Sequence, residues 1–270
     1  MTRHAPTCVP TPLWTHRGLI WQFTLRNVEL RHKGSHLGLI WSFLNPLLML
    51  VLYVFVFGFI FGGSFGGEGE TRMEYALGIF LGLSLFHFLA ETIGQAPALI
   101  VTNPNFVKKV VFPLEVLPAA AVGASLVHLV ISLTLVLIGV AAFGPGVGMG
   151  LLWLPLILLP LLLIAVGLAW LLAALGTFLR DLAQATQFLS MALMFSSAIF
   201  YPASKIPPAA WQILRLNPLL LAVELARDAV LWDRALNLRH LGYLYVAGIF
   251  CAWLGYTTFR RMKSAFADVL

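Results

Sequence analysis

The stretch "VLPAAAVGASLVHLVISLTLVLIGVAAFGPGVGMGLLWLPLILLPLLLIAVGLAWLLAALGTFL", residues 116–179, contains no aspartate, glutamate, lysine or arginine. A bilayer core about 30 Å thick needs about 20 helical residues to cross it. The stretch is therefore long enough for two membrane-spanning helices, and "GPGVGMG" at 144–150 predicts the turn between them. An uncharged run of this length indicates a protein whose main solvent is lipid.

The rest of the 270-residue chain has the same character. Hydrophobic residues make up 60% of it and charged residues 10%, and its mean hydropathy is +0.91. Soluble domains carry about a quarter charged residues, so this chain cannot cover a water-facing surface. The net charge of +6 would suit nucleic acid, but the basic residues are scattered between apolar blocks and form no stripe, which argues against that partner.

Working outward from 116–179, we predict six membrane-spanning helices. They are 37–61, 75–101, 116–142, 151–177, 182–201 and 240–259. The expected fold is an all-α integral membrane protein with one transmembrane domain over 1–270. No cleavable signal peptide is visible, because the first long apolar run begins only at 37 and is too long for one. Cys8 and Cys251 lie in very different settings and are expected to be free thiols.

The basic residues predict the orientation. With six spans both termini lie on one side, and placing them in the cytoplasm puts 11 of the 17 lysines and arginines inside, against 6 outside. Cytoplasmic loops carry the excess of lysine and arginine. We therefore expect a multi-pass protein with both termini in the cytoplasm.

Two segments are predicted to lie at the membrane without crossing it. In 12–34, apolar residues near helical spacing alternate with arginines, as in an amphipathic helix at the membrane surface with its basic side toward anionic lipid; an ordinary anchor helix is the alternative. The external segment 202–239 contains two short helical patterns, and Asn217 followed by Pro218 is typical of a helix start. We expect a re-entrant pair there, or else an amphipathic pair on the surface, with Arg227 paired to Glu224 or Asp228.

The sequence shows no source of energy for transport. Glu91 is the one acid inside a predicted span, and His87 precedes it by four residues on the same helical face. The two could relay protons, but structural pairing or the lining of a wet cavity is favoured. No phosphate-binding loop, zinc spacing or nucleophile elbow is present, so no metal or catalytic site is predicted. Either the chain is a passive pore or another polypeptide supplies the energy.

The segment "TNPNFVKKVVFP", residues 102–113, is short, basic and bounded by prolines between two apolar stretches. Asn103 and Pro104 suit a helix start and Pro113 a helix stop. Such a segment could present a rigid knob to a soluble partner, or its lysines could serve only to fix the topology.

Four stretches in order resemble one family, the ABC-transporter permeases that export bacterial polysaccharides such as O-antigen, teichoic acid and capsule. The first stretch, 30–61, matches the family's entry pattern at Arg31, Lys33, Ser35, Leu37, Gly38, Trp41, Leu44 and Pro46. The others are "NPNFVKKVVFPLEVLP" (103–118), "FLRDLAQ" (178–184) and "NPLLLAVELARDAVL" (217–231). Each motif alone is weak, but together they cover nearly the whole chain.

The resemblance implies half of a transporter in the bacterial inner membrane. Two permease copies would form the channel, and two copies of a separate ATPase subunit, which holds the ATP and magnesium, would dock below. Segment 102–115 would couple to the ATPase through Asn105, Phe106, Val107, Lys108, Lys109, Phe112 and Pro113. The interfacial helix would contribute Arg26, Arg31 and Lys33. The external gate would contain Pro208, Trp211, Asn217, Pro218, Glu224 and Arg227.

The cargo implied is a lipid-linked glycan, which needs a wet path with aromatic faces for stacking. Candidates for lining it are Tyr53, Phe55, Phe57, Phe86, Phe195, Phe200 and Tyr201. Two other functions stay open: an ABC permease for a small drug or lipid, and a membrane enzyme acting on polyprenyl-linked sugars.

Overall fold

The computed structural model describes residues 13–31, 36–38, 40–66, 69–108, 112–144, 146 and 148–270. Lys33 and Lys109 lie outside the described residues. Every regular element in the described part of the chain is a helix. The α-helices are α1 Arg17–Arg31, α2 Ile40–Tyr53, α3 Arg72–Gln95, α4 Pro104–Lys108, α5 Val116–Phe143, α6 Leu154–Phe178, α7 Leu182–Ser196, α8 Pro208–Leu214, α9 Pro218–Val230, α10 Leu238–Met262 and α11 Phe266–Val269.

The helix α2 continues without a break as a π-helix, Val54–Phe61. The π-helix ends at Gly62, which has a left-handed backbone (φ 57°) and whose N–H donates to the carbonyl of Phe57 five residues earlier, at 3.1 Å. Together α2 and the π-helix form the first long apolar helix, and only 6% of its most apolar stretch is covered by the rest of the chain.

The centre of the bundle is α3. It begins at a capping box, in which the Thr71 hydroxyl accepts from the Glu74 N–H and the Glu74 carboxylate accepts from the Thr71 N–H. Of the long helices described, α3 is the most buried, at 83% of its most apolar stretch. It contacts α5, α6, α7 and α9, so the other helices are arranged around it.

Close backbone contact joins α6 to α10. A Cβ at Gly255 would overlap the carbonyl oxygen of Gly167 in the facing helix. Small residues at a helix crossing let the backbones approach and gain dispersion contacts, which is how helices associate without a hydrophobic force between them.

Five helices among the described residues are long and apolar enough to cross a membrane: Ile40–Phe61, Arg72–Ala98, Val116–Phe143, Met149–Phe178 and Leu238–Val269. They correspond to five of the six predicted spans. The remaining one, 182–201, contains α7, whose 15 residues reach only about 22 Å. The helix ends before Ala198, whose left-handed backbone (φ 50°) turns the chain. The all-helical membrane fold is confirmed, and the count of six crossings stays a prediction.

Contacts at the two ends of the bundle show where α7 runs. At one end the Phe178 ring lies 6.0 Å from that of Phe266. At the other, the Tyr75 hydroxyl donates to the Phe200 carbonyl at 3.0 Å. The chain between 178 and 200 therefore passes from one end of the bundle to the other.

The helices α1, α4 and α11 meet at one end of the bundle, which we call the coupling end. The ring of Phe23 in α1 lies 5.6 Å from that of Phe106 in α4. The Lys263 ammonium, just before α11, binds the Glu115 carboxylate at 2.9 Å and 3.0 Å. The segments nearest to the two termini thus lie on the same side as the predicted coupling segment.

Candidate functional site

The predicted coupling segment is fixed to α1 by three aromatic rings, Phe23, Phe106 and Phe112, which we call the aromatic triad. The rings of Phe106 and Phe112 are 4.6 Å apart, and that of Phe23 lies 5.6 Å and 5.3 Å from them. Offset aromatic pairs at such distances are worth about 0.5–1.5 kcal/mol each. The triad therefore joins α4 to α1.

Other candidate coupling residues surround the triad. Asn105 and Lys108 are exposed, whereas Val107 and Pro113 are half-buried. The apolar side of α4 thus faces the protein and a polar side faces out, and the helix begins at Pro104 as predicted. The Trp170 indole N–H donates to the carbonyl of Glu115 at 3.1 Å, which adds α6 to the support. Sequence reasoning missed this contact and the Lys263–Glu115 pair, because the partners lie far apart in the chain.

The helix α1 is joined to α3 and α5 through Arg31. Its guanidinium donates to the carboxylate of Glu91 in α3 and contacts the ring of His128 in α5. The Ser125 hydroxyl also donates to Glu91, and the His128 Nδ1 lies 3.3 Å from the second carboxylate oxygen. We call these four residues the Glu91 network.

The expectation that Arg31 faces lipid is corrected by this geometry. A lone carboxylate inside a span is costly and takes a partner, and Arg31 is close enough to supply the charge. Arg26, by contrast, is exposed on α1, with its guanidinium 5.2 Å from the centre of the Phe23 ring.

Above the Glu91 network, a cavity of about 350 Å³ lies between α2, α3 and α5. Its polar and aromatic lining comprises Arg31, Trp41, Ser42, Asn45, Tyr53, Phe80, Ser84, His87, Glu91, His128 and Ser132. His87 is exposed to it, although its neighbours Phe86 and Phe88 in α3 are buried. The Ser42 hydroxyl is buried with no hydrogen-bond partner among the described residues.

Because polar groups at membrane depth are tolerated where they line water or protein, this cavity suits water or a hydroxyl-rich ligand. Both His87 and Glu91 line it, in accord with the cavity-lining alternative from the sequence. The partners of the Glu91 carboxylate come from α1 and α5, across the bundle. Spacing within one helix could not have identified them.

The candidate channel aromatics occupy different surroundings. Tyr53 lines the polar cavity, and the Phe57 ring stacks 5.6 Å from that of Phe200. The Tyr201 hydroxyl donates to the Phe195 carbonyl at 2.6 Å. Two are exposed, Phe55 at 57% and Phe195 at 58%, and Phe86 is in the core at 6%. Their role in a channel stays a prediction.

The start of α9 is built as its sequence predicts. The Asn217 Oδ1 accepts from the Leu219 N–H at 3.0 Å, and Pro218 occupies the first helical position. The Asn217 amide also donates to the carbonyl of Ser196, at the end of α7, at 3.2 Å. Of the other gate candidates, Pro208 begins the mostly exposed α8, and Trp211 within it is half-buried.

Arg227 in α9 is the most buried charged side chain among the described residues, at 2% exposed. Its guanidinium donates to three carbonyls, those of Gly78 at 3.0 Å, Ala198 at 2.8 Å and Ile199 at 2.6 Å. It also lies over the Phe65 ring, 3.9 Å from the centroid. Arg227 therefore ties α3, α9 and the chain after α7 together.

The prediction of a local ion pair at Arg227 is wrong. Asp228 pairs instead with Arg234, at 3.5 Å, while Arg227 donates to the carbonyls of Ala198 and Ile199 in the turn that follows α7. Buried backbone carbonyls outside a helix need donors from elsewhere in the chain, and water cannot supply them inside a bundle. The buried α9 has the protein cover that a re-entrant helix requires.

Glu224 lies beside Arg227 in a second cavity, of about 220 Å³, at the end opposite the coupling end. Burial, together with the Asp228 carboxylate, raises the pKa of Glu224 to about 7, although Arg227 acts against the shift. Glu224 is therefore only partly ionised near neutral pH.

Comparisons with known proteins agree over most of the chain. The family model described as "ABC-2 type transporter" matches residues 18–231. The O-antigen export system permease protein RfbA of Klebsiella pneumoniae is 25% identical over 253 residues, covering 93% of this chain and 95% of that protein. Its namesake from Myxococcus xanthus is 26% identical over 259 residues, covering 95% and 96%. The polysialic acid transport protein KpsM of Escherichia coli is 25% identical over 244 residues, covering 89% and 92%.

Proposed function

We propose a function from the premise that this chain belongs to the ABC-2 type transporter family. The chain is the permease half of an exporter that moves polysaccharide across a membrane, and ATP supplies the energy. The observation that carries the proposal is the match, along nearly their whole length, to O-antigen export permeases and to a polysialic acid transport protein. The all-helical membrane fold supports it.

The proposed partner is an ATPase on a separate polypeptide, two copies of which would bind a permease homodimer at the coupling end. Asn105 and Lys108 are exposed there for contact, and the aromatic triad passes a displacement of α4 to α1. Arg31 then passes it to α3 and α5 through the Glu91 network. ATP can drive such a change only if the partner binds one permease conformation better than the other.

In this arrangement the protein lies in the bacterial inner membrane, with the coupling end and both termini on the cytoplasmic side. Segment 202–239 then lies on the outer side as the gate. The proposed cargo is a lipid-linked glycan, and the polar cavity supports this class of cargo because it offers hydroxyls, an amide and the rings of Trp41 and Tyr53. Aromatic faces bind sugar rings with little loss of conformational entropy.

Reconstitution tests the proposal. The chain and its ATPase are placed in proteoliposomes, and glycan transport and ATP hydrolysis are measured together. Phe106→Ala removes two ring pairs of the triad, so we expect hydrolysis to persist while transport falls. Phe143→Ala is the matched control, because that ring is 66% exposed at the end of α5 remote from the triad.

Lys108→Glu gives a second test on an exposed side chain, for which misfolding is not a concern. It should weaken ATPase binding, measured by co-purification, without changing membrane insertion. Transport by the purified permease with no ATPase present would overturn the proposal, and so would normal coupling in both Phe106→Ala and Lys108→Glu.

A further inference from the structure

An apolar groove of about 580 Å³ lies on the outside of the bundle between α1 and α5. It is lined from α1 by Ile20 and Trp21 and from α5 by Leu126, Val130 and Ile131, and Arg17 is the one charged side chain in the lining. The groove is separate from the polar cavity and from the aromatic triad.

The two helices meet closely at the floor of the groove. The Thr24 hydroxyl donates to the Ala120 carbonyl at 3.4 Å, and a Cβ at Gly123 would overlap the Thr24 Oγ1. Seven residues further along α1, Arg31 meets His128. Since α1 and α5 advance together over this stretch, Arg17, seven residues before Thr24, lies toward the coupling end.

The groove has the depth of one lipid leaflet. From Gly123 to Ile131, α5 rises about 12 Å, and half of a hydrocarbon core is roughly 15 Å. Trp21 is 59% exposed and Val130 56%. Apolar side chains exposed at this level of a spanning helix face acyl chains or another protein.

We propose that the groove binds one acyl chain of an anionic phospholipid, with the phosphate of the lipid at Arg17. Charge complementarity supports this occupant, because the cation stands at the end where the headgroups of that leaflet lie. A second copy of the chain is a poorer occupant. In a twofold contact the same patch meets itself, which would put two Arg17 cations into one otherwise apolar interface.

A lipid in this groove holds α1 against α5. Because α1 carries both Phe23 of the aromatic triad and Arg31 of the Glu91 network, the lipid makes the joint between the coupling segment and the core firmer. The site does not depend on the proposed function, since it needs neither an ATPase nor a glycan.

Lipid retention measures the site directly. The purified chain is exchanged into nanodiscs of phosphatidylcholine with a minor fraction of phosphatidylglycerol, and the lipids that stay bound after detergent extraction are counted by native mass spectrometry. Arg17→Gln should lower phosphatidylglycerol retention about fivefold, as expected for one basic side chain at an anionic surface. Arg26→Gln, on the same helix and outside the groove, should leave it unchanged.

A groove-filling pair tests the acyl site. Val130→Phe should reduce retention of the lipid, whereas Ile138→Phe, which is equally exposed on the same helix at 59%, should not. Equal losses in Arg17→Gln and Arg26→Gln would mean general surface attraction and overturn the site. Displacement of phosphatidylglycerol by equimolar undecaprenyl phosphate would also overturn the phospholipid assignment. So would a groove that is covered only when two copies of the chain associate.

Discussion

Replacing Arg227 by methionine tests whether this residue holds the end of α7 in place. The substitution keeps much of the side-chain volume and removes the donors to the carbonyls of Ala198 and Ile199, which follow α7. It also removes a second donor to the Gly78 carbonyl, which keeps its bond within α3. A buried acceptor left without a partner costs about 1–3 kcal/mol. Relief of the desolvation of a buried cation offsets part of that, so we take the lower end for each of the two carbonyls after α7, about 2 kcal/mol in all.

In chains of roughly this size, 1 kcal/mol shifts the melting temperature by about 2–4 °C. Arg227→Met should therefore melt about 4–8 °C below wild type. Arg227→Lys should fall between the two, because one ammonium cannot reach carbonyls from both α3 and the chain after α7 as the guanidinium fork does.

The assay is thermal unfolding in detergent, followed by the monodisperse peak in size-exclusion chromatography. Arg234→Met is the control: its side chain is 56% exposed, pairs with Asp228 and lies over the Trp232 ring, so it should cost at most about 1 kcal/mol. A melting temperature for Arg227→Met that stays within about 2 °C of wild type, or that matches Arg234→Met, would refute the reasoning.

Three further predictions concern other parts of the structure. Glu91→Gln leaves the Arg31 guanidinium without its carboxylate, so α1 should detach more readily and be cut faster by trypsin; unchanged digestion would contradict the network. Burial raises the pKa of Glu224 above its unfolded value, so the folded chain binds the extra proton and loses stability as pH rises from about 4.5 to about 7. The melting temperature should thus be higher at pH 6 than at pH 8, and Glu224→Gln should flatten that dependence. Cysteines at Ser204 and Asn105 should react with an impermeant maleimide from outside and from inside, and the reverse would overturn the orientation.

The sequence predicts those parts of the fold that depend on near neighbours. Charge-free runs give the long helices, because the length and polarity of a span are set by the bilayer. The start of α9 follows from Asn217 and Pro218, since an N-cap acts within three residues. The arginines of α1 could likewise be assigned to a single helix from their spacing in the sequence.

The contacts that hold the candidate site together could not be predicted in this way. Arg227 donates to Gly78 across 149 residues, and Arg31 binds Glu91 across 60. A single sequence contains no signal for such pairs, so the local partners Glu224 and Asp228 were the natural choice for Arg227. The shortness of α7 also lacks a signal, because the turn at Ala198 uses a left-handed backbone without a glycine.

The π-helix that follows α2 has a consequence for how the outer half of that helix can move. Its wider winding holds a spare residue, and π-turns tend to occur where a helix must adjust. If the segment rewinds to the α form, everything after the change rotates by about 100° around the axis. The rings of Phe57, Phe59 and Phe61 would then point in a new direction while the helix stays intact. Only 6% of the residues in the most apolar stretch of this span are buried, and the stack of Phe57 on Phe200 is among the contacts that such a rotation would break.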